Sequence, residues 1–232
     1  MFASIVFGLV LAFTAGVSAS NIAREPFFRW SEEKAVQVLN SSPWAKQETF
    51  TQIVSGQGSG RSGEKEIYNT FYVRFLSARP IREAYARIQQ IYYGYDRMNQ
   101  QEQARFDKDQ QPGIGMESSE WIVLTVAFRS NDPNEESDVR RFFQTETVKT
   151  LKTKAFLSTT TCSQVEVSAY FPPREESVGA KFVFPRMVDG IPVVTKDCDA
   201  VTFELLDVPG ANPNLQSTFS VKSMVVDGRI VI

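Results

Sequence analysis

The sequence predicts an α+β fold: a single domain rich in antiparallel sheet, with two or three helices packed on it and a C-terminal half that is mostly β. Helical and strand-like segments do not alternate as a β-α-β chain would. From Lys154 onward the apolar residues follow a strand-like pattern. Asp189-Gly190 and Asp227-Gly228 are dipeptides that two-residue hairpins favour.

In chain order, the first element of the domain is a short helix from Ser31 to Leu39. Ser31 is a good N-cap, because its hydroxyl accepts a bond from a free first-turn amide. Glu32 and Glu33 follow where the helix dipole favours negative charge. Ala35, Val36, Val38 and Leu39 supply the apolar face, and Asn40-Ser41-Ser42-Pro43 ends the helix. Trp30 and Trp44 flank it. Each indole buries ~150–250 Å² when packed, enough to clip onto the domain a helix too short to persist alone. Gln47 to Val54 and Ile67 to Leu76 read as one hairpin, the second strand carrying Ile67, Phe71, Val73 and Phe75 on one face. Between them SGQGSGRSGEKE, Ser55 to Glu66, is a flexible connector.

Pro80 opens the longest helix, because a first helical position needs no amide. Ile81, Ala84, Tyr85, Ile88, Ile91, Tyr92, Tyr95 and Met98 form its stripe. The helix is expected to fray within NQQEQARFDKDQQPG, a polar connection that continues through IGMESSE. Trp121 to Phe128 is a strand with Ile122, Leu124, Val126 and Phe128 on one face. Asp132 caps the next helix, Pro133 takes its first position, and Glu135 is placed for a capping box. Val139, Phe142, Phe143 and Leu151 are its apolar contacts. Strands are then expected at Lys154–Ser158, Gln164–Phe171, Ala180–Arg186, Pro192–Thr195, Ala200–Leu206, Phe219–Val226 and Arg229–Ile232.

Composition bounds the function. The 232 residues are 42% hydrophobic and 22% charged, within the globular range. Basic residues number 25 and acidic residues 27, a net charge of −2 that leaves no electrostatic footprint for nucleic acid. Histidine is absent, which excludes Ser-His-Asp and Cys-His catalytic sets and histidine-based zinc sites. An enzyme built from this chain would work through carboxylates, Lys, Tyr, Ser or Cys, and the balance leans away from catalysis. No cofactor motif is present and none is expected.

Residues 1–19, MFASIVFGLVLAFTAGVSA, read as a signal peptide cleaved after Ala19, following the small-x-small pattern of Val17-Ser18-Ala19. The apolar run is shorter than the roughly 20 residues a membrane span needs. The mature domain then covers residues 20–232, exported to the periplasm or secreted, with no membrane span after cleavage. Export favours a disulfide between the two cysteines, Cys162 and Cys198. A simple meander opposes it, because it puts them at opposite ends of a sheet, roughly 20 Å or more apart. A disulfide needs α-carbons within about 7 Å.

Each motif with chemical content has a plain structural reading beside it. Ser31-x-x-Lys34 has the spacing of a serine–lysine nucleophile pair, but Ser31 serves equally as a cap. GQGSGRSGEK resembles a phosphate loop, yet Glu64 separates Gly63 from Lys65 and a strand follows. Asp132, Asn134 and Glu136 gather oxygens as a cation site would, without the glycine and distal glutamate of a calcium loop. The acidic pairs Glu32/Glu33, Glu135/Glu136 and Glu175/Glu176 read as solvated surface.

The segments WSEEKAVQVLNSSPWAK, FYVRFLSARPIREAYARI and AYFPPREESVGAKFVFPRMVDGIP resemble a set of uncharacterised exported bacterial proteins. The resemblance implies export and a shared fold, and it carries no functional residue. The expectation is therefore a non-catalytic exported protein that binds or scaffolds an envelope protein or a small ligand. The alternatives are a histidine-free hydrolase using carboxylates or Ser31 with Lys34, and a small-ligand binder with the tyrosine-rich helix as its site and the Gly/Ser connector as its lid.

Overall fold

The computed structural model describes residues 19–55, 64–115, 119–174 and 179–232. The helices are α1 (Ala19–Arg24), α2 (Glu32–Asn40), α3 (Arg79–Tyr92), α4 (Gln100–Ile114), α5 (Pro133–Thr145) and α6 (Val148–Leu151). The strands are β1 (Ala45–Ser55), β2 (Glu64–Phe75), β3 (Trp121–Ser130), β4 (Ala155–Thr159), β5 (Val165–Glu166), β6 (Ala169–Phe171) and β7 (Ala180–Pro185). They continue with β8 (Met187–Val188), β9 (Ile191–Pro192), β10 (Ala200–Leu205), β11 (Leu215–Ser220), β12 (Val225–Val226) and β13 (Arg229–Ile230). The fold is α+β with antiparallel sheets, and its C-terminal half is mostly strand.

Two sheets face each other, one ordered β1-β2-β3-β7-β6 and the other β11-β10-β4-β5. Alternation decides what lies between them. Phe71, Val73 and Phe75 of β2 pair with Phe128, Val126 and Leu124 of β3, placing these side chains on one face. That face meets the second sheet through Phe75 on Phe219 at 4.8 Å and Phe182 on Phe203 at 5.4 Å. The opposite face of β2 presents Tyr72 and Arg74 beneath α2 and α3. The result is a helix layer on a sheet on a second sheet.

Both indoles are buried and hold chain ends in place. Trp30 donates to the Glu25 carbonyl at 3.1 Å, and its own carbonyl accepts from Arg87. Trp44 donates to the Val231 carbonyl at 2.6 Å and so fixes the C-terminal segment, a role the sequence did not suggest. Both Asp-Gly pairs close two-residue hairpins, with φ of 52° and 79° at Asp189-Gly190 and 46° and 73° at Asp227-Gly228. Positive φ at both turn residues matches the right-handed twist of the flanking strands.

Several expectations are corrected. NQQEQARFDKDQQPG is not a frayed connection. Gly94 turns the chain at φ 69°, and α4 starts afresh with a capping box between Asn99 and Glu102. The long stripe of α3 also misassigns its outer end: Tyr92 is 81% exposed, whereas Arg82, Arg87 and Gln90 are buried. Those arginines staple carbonyls, Arg82 those of Leu76, Ser77 and Ile114, and Arg87 that of Trp30. Val36 faces solvent rather than the core. Gln164–Phe171 is not one strand, since β5 joins one sheet and β6 the other. Phe219–Val226 is interrupted by a 3-10 turn at Val221–Met224. Leu151 belongs to α6 rather than to the preceding helix.

The cysteines are free thiols, and the meander that separated them is not formed. β10 pairs antiparallel with β4, Val201 opposite Thr159, so Cys198 before β10 and Cys162 after β4 lie at the same end of one sheet. Thr161 Oγ1 lies 3.5 Å from Cys198 Sγ.

Candidate functional site

β3 outruns its partner. β7 pairs with it from Trp121 to Val126, and Ala127–Ser130 continues beyond. At this boundary Gly179 takes φ 111°, and a Cβ there would sit 2.4 Å from the Val126 carbonyl oxygen. Only glycine lets the chain cross the strand so closely. The cleft that opens here has a volume of about 490 Å³. One side is α5, through Glu136, Val139, Arg140 and Phe143. The other is Tyr72 and Arg74 of β2 with Tyr85 of α3 and Asn40 of α2. Pro173 and Arg174 complete the lining from the β6–β7 connection.

α5 is oriented by its start. The Asp132 carboxylate accepts from the amides of Asn134 at 2.8 Å and Glu135 at 3.4 Å, and pairs with Lys65 at 2.5 Å. These bonds, Lys65 foremost, hold Asp132 below the usual carboxylate range against a smaller effect of burial. Glu135 does not close the expected capping box; its carboxylate accepts from the Asn69 amide at 3.2 Å.

Arg74 is the unusual member of the cleft. It is 8% exposed, and among the described residues its hydrogen-bond partners are neutral. It donates to the Leu39 carbonyl at 2.5 Å, Asn40 Oδ1 at 2.8 Å and the Tyr85 hydroxyl at 2.9 Å. The rings of Tyr72 and Tyr85 lie 5.0 and 5.7 Å from its guanidinium carbon. The C-terminal end of α2, where Leu39 and Asn40 sit, adds a partial negative charge. Burial pushes the Tyr85 phenol up, with the Arg74 charge opposing, so the hydroxyl stays protonated at neutral pH.

Charge sets this cleft apart from the others described. Among the described residues, Arg74, Arg129, Arg140 and Arg174 line it with one acid, Glu136, which pairs with Arg129 at 3.4 Å. The cleft between Tyr92 and Asp109 is balanced, Arg97 and Arg105 meeting Glu102 and Asp109. Those beside Cys162 and beside Phe27 have more acids than bases.

The residues singled out in the sequence lie mostly elsewhere. Ser31 Oγ accepts from the Lys34 amide at 3.2 Å as the N-cap of α2, and the Lys34 ammonium turns away to Glu25. Of Asp132, Asn134 and Glu136, Asp132 is engaged with its cap and Lys65, and Glu136 with Arg129. Trp30 and Trp44 are packing residues, and Cys162 and Cys198 lie outside the arginine cleft. The Gly/Ser connector, with its phosphate-loop pattern and its part as a lid, falls largely outside the described residues, as do Glu175 and Glu176. The arginines were missed, although Arg74 left one signal, a charge on the helix-facing side of FYVRFL.

No protein-family model, curated protein or solved structure matches this chain.

Proposed function

We propose that this is a non-catalytic binding protein, exported, that takes a small ligand in the cleft at the end of β3. The carrying observation is the lining of that cleft. Its volume of about 490 Å³ suits a ligand of metabolite size. Its described side chains are groups that hold a ligand: guanidinium forks, phenols, amides and an apolar wall of Val139 and Phe143. A hydrolase would need a nucleophile beside a base, or two carboxylates across a gap. Among the described residues the cleft has a single carboxylate, engaged with Arg129. The Ser31–Lys34 pair has its hydroxyl and its ammonium committed to other partners. Export rests on the signal-like residues 1–19.

The test is a thermal-shift screen of small metabolites against the chain starting at Ser20. A ligand selective for the folded state raises Tm. Gln144 is an exposed lining residue on α5. Gln144→Trp should fill the cleft, abolish the shift and leave the unliganded Tm unchanged. A shift that survives this substitution places binding elsewhere and overturns the reading.

A further inference from the structure

We infer that the ligand of this cleft is a small oxyanion, a carboxylate or phosphate monoester on a compact apolar body, held by Arg74 with Arg140 at the rim. The inference rests on the binding role proposed above and adds the chemical class.

Arg74 is a buried cation whose described partners are three neutral acceptors, two aromatic faces and a helix end. A buried charge is costly unless an opposite charge meets it. A guanidinium has five N–H donors. Arg74 uses one on each nitrogen, which leaves one on each terminal nitrogen. Those two donors are open to an oxyanion, the acceptor a guanidinium binds most strongly. The other buried arginines of the helix layer show what a purely structural role looks like. Arg87 reaches the Asp96 carboxylate at 3.3 Å, and Arg82 is occupied by three backbone carbonyls. Neither lines this cleft.

The surroundings point the same way. The chain carries a net charge of −2, yet this cleft concentrates arginines. Such a focus raises the local concentration of anions above that at the rest of the surface. Phe143, Val139 and Val126 line the same space, so an anion with an apolar body is accommodated better than a bare hydrated ion.

The experiment is titration calorimetry at fixed ionic strength with phenyl phosphate, phenylpropionate, inorganic phosphate and the neutral phenylpropionamide. One or both aromatic anions should bind, and the amide should bind at least about tenfold more weakly. The preferred anion tells the phosphate source from the carboxylate source. Arg140 is exposed, so Arg140→Gln should leave the unliganded Tm unchanged and weaken the anion about tenfold. Arg105→Gln in the charge-balanced cleft should change nothing. Arg74→Lys keeps the charge and loses the fork, and should weaken the anion further; if it fails to fold, Arg140 carries the test. Equal binding of amide and anion would overturn the oxyanion class and leave the binding role standing. Failure of every anion, or anion binding insensitive to Arg140→Gln, would overturn the inference. The metabolite screen judges the binding role separately.

Discussion

Ser31 shows how far one residue was legible in advance. Its identity, two following glutamates and an apolar run announce a helix start, and the hydroxyl caps α2 as that pattern requires. Ser31→Ala should therefore cost about 1 kcal/mol in urea unfolding, and Lys34→Met should not reproduce that loss. A loss near zero would mean that the cap is idle. Asp132 carries the second expectation. Its native carboxyl is held below the ordinary range, chiefly by Lys65. A lowered native pKa stabilises the fold above the unfolded value of about 3.9, and the contribution disappears as pH falls through the native value. Asparagine also caps helices, so Asp132→Asn removes the charge while keeping the cap. The variant should be less stable than wild type at pH 7, and the gap should close progressively below about pH 4. A gap that does not narrow at all as pH falls below about 4 would assign the effect to something other than ionisation. Arg74 was not legible in this way, because its significance lies in Leu39, Asn40 and Tyr85, which the fold alone brings to it.

At the scale of elements, local signals served where they were short-range and failed where partners were distant. The Asp-Gly hairpins and the β1–β2 pair are local, and both are found where the sequence puts them. α4 was local too: Asn99 and Glu102 spell a capping box that its polar composition concealed. None of its described side chains is buried, so tertiary packing contributes little to it. By hydrogen exchange, α4 amides should exchange faster than those of α3, and Asn99→Ala should accelerate α4 alone. Equal protection in the two helices would contradict this account. The cysteines depended on sheet order, which a meander guess got wrong. With Cys162 half-buried and Cys198 fully buried, iodoacetamide should label Cys162 first in the folded, reduced protein and Cys198 only on unfolding. Mass spectrometry of the labelled peptides reads the order directly.

For the whole molecule, the class was legible from periodicity and the architecture was not. Two-residue periodicity shows that a segment is a strand and which side is apolar, but both sheets of a sandwich present the same pattern. The chain passes from one sheet to the other within Val165–Phe171, a step that no alternation marks. The same long-range dependence governs the N-terminal segment. Ile22 and Trp30 are each 1% exposed, and α1 packs against β12 near the other end of the chain. The folded domain therefore needs the residues just after the expected cleavage point, and cleavage after Ala19 retains both. A chain starting at Ser20 should keep the melting temperature of the longer chain, because the only described core residue it loses is Ala19. A chain starting at Ser31 loses Ile22 and Trp30, and burial on that scale is worth more than about 4 kcal/mol. It should melt at least several degrees lower or fail to accumulate. Expression of all 232 residues in an exporting bacterial host, with intact-mass analysis of the periplasmic fraction, should return a polypeptide beginning at Ser20. A mature terminus beyond Trp30 would remove part of the core described above, and retention of residues 1–19 on a cytoplasmic product would contradict export itself.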